Sequence, residues 1–274
     1  MIVGLVGAGN MAAALARGWS SAETGPDVLV VSDVDADRAR LLAQETRGRA
    51  VGSNRELAEV SDVVVLATKP AALRSVAEEM RVTVSDRGLP VVSILGATPI
   101  SAVEGAFGLG TPVLRFMPNV AAEVRAGTFC YAAGEALDER TERSLLDLFG
   151  LLGELVPVEE RLMDAATAIS GCGPAFFALV AESLVDAGVR EGLDAREAAQ
   201  LAMTTMGGTA ELMRRRSGDA VGLRRAVTSP GGVTAAGLAE LERYRVRAAF
   251  GAAVEAVVAK AKAAQAPPPD GASG

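Results

Sequence analysis

The first twelve residues constrain the fold most. MIVGLVGAGNMA passes from a short β-branched run into Gly7-Ala8-Gly9-Asn10-Met11-Ala12, and then into a pattern with helical spacing. This is G-x-G-x-x-A at a strand-to-helix junction, the setting a dinucleotide-binding βαβ unit requires. Gly7 permits the tight turn, Gly9 lets backbone approach a pyrophosphate, and Ala12 keeps helix and strand close. The N–H groups at such a helix start lack intrahelical partners and sit at the positive end of the dipole. Backbone alone can therefore hold an anion, even in a chain whose net charge is −7. The plain alternative is a tight turn that binds nothing.

The rest of the first half repeats this alternation. IVGLVG (2–7), VLVVS (28–32), DVVVLAT (62–68), PVVSIL (90–95) and PVLRF (112–116) read as buried parallel strands. Helical spacing separates them near 10–22, 36–46, 70–80 and 97–106. GTFCYAA (127–133) and LVPV (155–158) offer further strands around a helix near 138–152. The expected fold is an α/β Rossmann-type domain over 1–157, with a mainly parallel, doubly wound sheet. After Val158 the strand signal stops. Segments 159–170, 174–190, 195–213, 219–227 and 234–263 read as helices, which predicts an all-α domain over 158–264. Gly188 and Gly192 bracket one helix break, and Asp194 is placed to cap the next helix. Residues 265–274 are too rich in Pro and Gly to pack, and disorder is expected there.

Composition removes several function classes. Histidine is absent, which excludes Ser-His triads and most zinc sites, so no metal is expected. Cys130 and Cys172 have no C-x-x-C spacing and are expected to stay reduced. The only basic cluster, Arg214 to Arg216, reads as a solvated helix end, so nucleic acid is not an expected partner. No run approaches the roughly 20 apolar residues of a membrane span, since Glu182 and Asp186 interrupt the most apolar helix. No basic residue precedes the apolar start, so no signal peptide is read and a cytoplasmic location is expected. Aromatics make up 4% of the chain, which leaves Ala, Val and Leu to fill the core.

Two stretches carry local chemistry. At the end of the second strand, Asp33 is an acid where NAD-binding folds hold the adenine ribose, and NADP-binding folds avoid negative charge there. It can equally cap the following helix, which leaves the choice between NADPH and NADH open. ISGCGPAFF (169–177) puts Gly171, Gly173 and Pro174 at a helix start, where Pro suits the first turn. Phe176, Phe177, Val180 and Leu184 share helical spacing and read as core or subunit interface. No His or Lys lies nearby to activate Cys172 as a nucleophile.

Taken together, these residues resemble those of the pyrroline-5-carboxylate reductase family along nearly the whole chain. The resemblance is carried by GLVGAGNMA, Ser53-Asn54-Arg55-Glu56, VVVLATKP (63–70), VVSILGA (91–97) and RFMPN (115–119). MDAATAISGCGPAFF (163–177), LVDAGVREGL (184–193) and VTSPGGVTAAGLAELE (227–242) continue it. It implies reduction of the cyclic imine 1-pyrroline-5-carboxylate to L-proline with NADPH or NADH, the last step of proline biosynthesis. It also implies a homodimer through the helical domain, open to higher assembly, with active sites between a Rossmann domain and helices that include the partner's.

By position, the resemblance places Gly7, Gly9, Asn10, Met11, Ser32, Asn54, Ala67, Lys69 and Pro70 around the dinucleotide. Met117 and Asn119 would lie toward its nicotinamide. Ser229, Gly231, Gly232 and Thr234 would take the substrate, with Ser170 and Gly171 as part of its wall. The chemistry of SPGGVT agrees, because two glycines before a helix present successive N–H groups beside the Ser229 and Thr234 hydroxyls, which suits a carboxylate. The plain alternative is a loop between helices. Thr234 is the expected catalytic residue, hydrogen-bonding the ring nitrogen. A protonated imine is already electrophilic, so hydride transfer requires positioning and no strong base, consistent with a chain that lacks histidine.

The chain departs from the family pattern at Cys172 and Phe176, where serine and tyrosine are usual, at Val120-Ala121, at Asp219-Ala220 and at Asp33. Two other readings share the glycine loop. One is a reductase of the same fold acting on another cyclic imine. The other is a non-catalytic, dinucleotide-binding regulatory relative, against which Ser229 and Thr234 speak. A β-hydroxyacid dehydrogenase would need a lysine just past the domain boundary, and residues 159–195 contain none.

Overall fold

The structure, a computed structural model, describes residues 1–265. Strands and helices first alternate: β1 (Ile2–Val6), α1 (Asn10–Ser20), β2 (Val28–Ser32), α2 (Ala36–Glu45), β3 (Arg49–Ala50), α3 (Asn54–Val60), β4 (Val63–Leu66), α4 (Leu73–Arg87), β5 (Val91–Ser93), α5 (Ile100–Phe107) and β6 (Val113–Met117). Then follow β7 (Gly127–Ala133), α6 (Glu139–Gly150) and β8 (Gly153–Pro157). The helical part comprises α7 (Met163–Ala166), α8 (Gly173–Arg190), α9 (Ala195–Arg215), α10 (Ala220–Ala226), α11 (Val233–Arg243) and α12 (Val246–Gln265).

The eight strands form one sheet in the order β3-β2-β1-β4-β5-β6-β7-β8. The first six follow the dinucleotide-fold order, so the direction of winding reverses between β1 and β4, where ligands of such sheets bind. Both faces are covered, and the pleat sorts side chains between two apolar layers. Val63 and Val65 of β4, with Leu114 and Phe116 of β6, face the layer under α1, α2 and α6. Val64, Leu66 and Val113 face the layer under α3, α4 and α5. Gly4 in β1 is required by packing, since a Cβ there would stand 2.4 Å from both Leu57 Cδ2 and Ser61 Oγ of the α3 region.

The few aromatics are concentrated rather than spread. Phe116 and Phe149 stack at 4.4 Å, and Trp19 meets Phe149 edge-on at 5.1 Å. Trp19 also donates from its indole nitrogen to the Leu148 carbonyl at 3.0 Å. One aromatic cluster thus locks α1 and α6 to the same face, while aliphatic side chains fill the remainder.

Several elements differ from the sequence-based expectation. The two-residue β3 and the helix α3 fall in a stretch read as connection, because neither is long enough to show a period. β7 runs antiparallel to β6, since only the tight turn Val120–Val124 joins them and no crossover helix intervenes. β8 returns parallel to β7 after α6. The expected helix 234–263 breaks at Arg245, which has a φ of +56°. No Gly or Pro marks that point, which is why the sequence reads through it.

The described residues divide into two compact units, Met1–Cys172 together with residues 257–265, and Gly173–Ala256. The boundary expected after residue 157 coincides with the end of β8, yet the helical residues to Cys172 stay with the sheet. Met163 packs with Met117 and Cys130, and Gln265 of α12 donates to Asp164 at 3.0 Å. Apart from Gln265, the segment 265–274 read as disordered lies outside the described residues. In the second unit, α8 ends before Gly192 at φ +99°, and Asp194 caps α9 by accepting from the Arg196 N–H at 2.9 Å. Arg214 and Arg215 both pair with Glu211 at the exposed end of α9.

Candidate functional site

The loop between β1 and α1 has the geometry its glycines imply. Gly7 sits at φ +103°, and a Cβ there would meet the Ala67 carbonyl oxygen at 2.8 Å. Any other residue is therefore both strained and blocked. Its N–H donates to the Ser32 carbonyl at 2.7 Å, tying the loop to β2. Gly9 is different: a Cβ there would meet only Arg38 Nη2, at 3.9 Å, so glycine keeps space open rather than avoiding a clash. Gly9 is also the N-cap of α1 and has no side chain to satisfy the first N–H groups. Those donors are left for a ligand, and a pyrophosphate fits them.

A cleft of about 710 Å³ opens at the C-terminal ends of β1, β2 and β4. It is lined by Gly7, Gly9, Asn10, Met11, Ser32, Asn54, Ala67 and Lys69, all expected from the sequence. Pro70, Met117 and Asn119 are not among its lining residues. Asp33, Val34, Arg38, Thr68 and Ser75 line it as well; the sequence signal for Asp33 and Val34 was their place after β2, whereas nothing marked Arg38.

Ser32 is buried and donates from its hydroxyl to Asn54 Oδ1 at 2.7 Å. This bond orients the Asn54 amide so that its NH2 is left to donate. α3, which carries Asn54, starts from the Ser53 side chain accepting the Glu56 N–H at 3.2 Å. Glu56 in turn takes the Gly52 N–H and pairs with Arg49. The Gly52 N–H first, and Arg49 second, hold the Glu56 carboxyl below its ordinary range. Asp33 spans the loop from the other side. Its Oδ2 accepts from the Ala8 N–H at 2.6 Å and its Oδ1 from the Asp35 N–H at 2.9 Å. Arg38 completes the collar by donating to the Ala8 carbonyl at 3.1 Å.

Met117, the last residue of β6, and Asn119 just after it belong to a second cluster. Asn119 is buried and makes three hydrogen bonds: its Oδ1 accepts from the Ala121 and Thr128 N–H groups, and its Nδ2 donates to the Ser170 carbonyl at 3.1 Å. Ser170 and Gly171 end a π-helical turn, Thr167–Gly171, a local widening that often marks a functional position. The Ser170 hydroxyl bonds to the Ala166 carbonyl at 2.9 Å and lies 3.4 Å from the Cys130 sulfur. A Cβ on Gly171 would stand 4.0 Å from Met117 Cγ. Asn119 is thus a fastener between strand and turn, a role its sequence position does not reveal.

In the second unit, Ser229 to Thr234 joins α10 to α11. Gly231 has φ +72°, and Gly232 is the N-cap of α11 with no side chain to cap it. A Cβ on Gly232 would lie 2.5 Å from Ser229 Oγ, so a side chain there would turn that hydroxyl out of its present position, while Gly231 is needed for its left-handed φ. Thr234, in the first turn of α11, and Ser229 are exposed. Among the described residues, neither hydroxyl bonds to another group of the chain. The loop therefore presents free helix-start N–H groups and two free hydroxyls, the donor set expected for a carboxylate.

Comparison with known proteins matches these features region by region. Residues 2–96 match the family model "NADP oxidoreductase coenzyme F420-dependent", and residues 160–264 match "Pyrroline-5-carboxylate reductase dimerisation". A pyrroline-5-carboxylate reductase of Mycobacterium tuberculosis is 37% identical over 282 residues, covering 95% of each chain. One from Methanosarcina acetivorans is 36% identical over 249 residues, covering 90% of this chain and 92% of the relative. The crystal structure of Plasmodium falciparum pyrroline carboxylate reductase with NADP bound superposes with a TM-score of 0.88 at 32% identity, covering 97% of this chain and 98% of that one. The similarity to these relatives extends over nearly their full length, and the chain belongs to the pyrroline-5-carboxylate reductase family.

Proposed function

We propose that the chain reduces 1-pyrroline-5-carboxylate to L-proline with a reduced nicotinamide dinucleotide. The observation that carries this reading is the cleft at the β1/β4 winding reversal, where the loop fastened by Gly7 leaves its helix-start N–H groups free. The family is one of NAD(P)H-dependent oxidoreductases. When bound, the dinucleotide supplies the hydride. The α1 N-terminus would hold the pyrophosphate, Ser32 would orient Asn54 toward the adenosine part, and Lys69 would add a cation at the rim.

The second unit would supply the substrate contacts. The Gly232 N–H, expected from the sequence as a substrate contact, is taken by the Ser229 carbonyl at 3.0 Å. The Gly231 N–H and the helix-start N–H groups of Val233 and Thr234, with the Ser229 hydroxyl, suit the carboxylate, and the Thr234 hydroxyl suits the ring nitrogen. A hydroxyl can accept from the protonated imine and donate to the amine that forms, so Thr234 can follow the nitrogen through the reaction without ionising. Ser170 and Gly171 would form part of the wall, with Asn119 holding the turn that carries them.

The second unit also supports a homodimer. α8 buries only Gly173, α9 only Ala198, and α11 and α12 bury no residue within the single chain. Phe177, Leu179, Leu184, Leu201 and Met203 are all more than half exposed. Contrary to the expectation from the sequence, the helical run Glu160–Arg190 is by length and composition alone long and apolar enough to cross a membrane, and little of its apolar part is buried. Glu182 and Asp186 lie within it, and it falls in the region matching the dimerisation model. A second copy of the chain therefore accounts for this apolar face better than lipid does. Cys130 and Cys172 are free thiols, in keeping with an enzyme of the reducing cytoplasm.

The deciding experiment mixes purified protein with 1-pyrroline-5-carboxylate and either reduced dinucleotide, following nicotinamide absorbance and proline formation. Dinucleotide oxidation that keeps pace with proline formation is expected. Absence of proline with both cofactors would remove the reading.

A further inference from the structure

We propose that Asp33 makes this chain select NADH over NADPH, an inference that rests on the cleft's being the dinucleotide site. Asp33 stands at the C-terminal end of β2, where the adenine ribose of a bound dinucleotide lies in folds of this order. An acid there has two possible tasks, capping the next helix or facing the ribose. The helix cap is taken by Asp35, whose side chain accepts from the Asp37 and Arg38 N–H groups at the start of α2. Asp33 instead turns back across the glycine loop and holds the Ala8 N–H at 2.6 Å. Its carboxylate lines the cleft beside Ser32 and Asn54.

This placement fixes the position of the group. Two backbone N–H groups, from Ala8 and Asp35, anchor its two oxygens. A carboxylate offers about four acceptor sites, so it can still accept from ribose hydroxyls. A 2′-phosphate would add close to two negative charges at the same place, with no hydrogen to donate once fully ionised.

The surroundings do not compensate. Val34, the next residue, is apolar and fully exposed at the cleft and offers a phosphate nothing. Among the described residues the cations lining the cleft are Arg38, whose Nη2 donates to the Ala8 carbonyl at 3.1 Å, and Lys69, which follows β4 rather than β2. Arg40 pairs with Asp37, and Arg55 does not line the cleft. The β2–α2 corner thus presents Asp33, Asp35 and Asp37 against Arg38 and Arg40. Repulsion between the Asp33 carboxylate and the phosphate decides the preference, because both would be held at short range against one wall of the cleft.

The test measures equilibrium binding of NADH and of NADPH to the full chain without substrate, by nicotinamide fluorescence or calorimetry at one fixed salt concentration. Kd for NADH is expected to be at least tenfold lower than for NADPH. Asp33→Asn keeps an oxygen for the Ala8 N–H and removes the charge, and it should narrow the ratio at least fivefold, chiefly by tighter NADPH binding. Equal or tighter binding of NADPH by the unaltered chain overturns the inference, as does an unchanged ratio in Asp33→Asn. If that variant does not fold, the ratio in the unaltered chain decides alone. Proline formation with NADPH preferred would remove this inference and leave the proposed reaction standing. NADH-selective binding without proline formation would do the reverse, and binding of neither dinucleotide would remove both.

Discussion

The Asn119 amide donates to the Ser170 carbonyl at 3.1 Å, and so joins the end of β6 to a π-helical turn fifty-one positions away in the chain. The same side chain accepts from Ala121 and Thr128, which makes it a three-way fastener in a buried place. Asn119→Ala would leave two N–H groups and one carbonyl without partners. Each unsatisfied buried group costs about 1–3 kcal/mol, partly relieved if water enters. A loss of about 2–4 kcal/mol is therefore expected in urea unfolding. Asn119→Asp keeps the acceptor but cannot donate to Ser170, and should not restore stability. A midpoint unchanged in Asn119→Ala would show that these bonds contribute nothing net.

The two loop glycines predict opposite phenotypes. Gly7→Ala combines φ +103° with a 2.8 Å approach to the Ala67 carbonyl. It should lower stability by about 1–3 kcal/mol and weaken dinucleotide binding as well. Gly9→Ala meets open space, so unfolding should change by no more than about 0.5 kcal/mol. Its methyl would still enter the cleft where a pyrophosphate approaches backbone, and roughly tenfold weaker binding is expected. Thermal denaturation beside dinucleotide titration separates the two, and equal behaviour of the variants would contradict the geometry.

The sheet was legible in the sequence because a parallel sheet covered on both faces needs continuous apolar strands, and IVGLV, VLVVS and VVVL are such runs. β3 was not, because Arg49–Ala50 carries no period and owes its pairing to Val30 and Val31 of β2. The break at Arg245 escaped for the opposite reason: its apolar pattern continues, and the left-handed residue there is not glycine. At the site, local spacing revealed the glycine loop and the acid after β2. Which of Asp33 and Asp35 caps α2 depends on which way each side chain turns, and only the structure decides it. Asn119 shows the same limit, since its motif gives no sign of the bonds to Ala121, Thr128 and Ser170 by which it fastens the turn.

Thr234 tests the proposed chemistry without disturbing the fold. Its side chain is exposed in the first turn of α11, so Thr234→Ala should leave the melting temperature and the dinucleotide Kd unchanged. Turnover should fall by roughly 100-fold or more, the scale of one positioned proton-transferring group. Thr234→Ser keeps the hydroxyl and should recover most of the rate. If serine and alanine variants are equally slow, the methyl group rather than the hydroxyl matters. If alanine turns over normally, Thr234 has no part in the chemistry.

The helical unit makes the last prediction, because its exposed apolar side chains need a cover. Leu184 and Phe177 lie seven residues apart on α8, about two turns, and so share a face; they are 57% and 63% exposed within one chain. Full burial of such side chains is worth about 1.5–3 kcal/mol each, so a helix that leaves them in water gains little from tertiary packing. A particle of at least twice the 28.0 kDa chain mass is expected by light scattering, with a melting temperature that rises with protein concentration. A Phe177→Glu, Leu184→Glu double variant would place carboxylates in that interface and should shift the particle toward one chain. The monomer should lose helical signal from the second unit before the sheet unit melts. A single-chain mass for the unaltered protein, with a melting temperature independent of concentration, would remove the dimer.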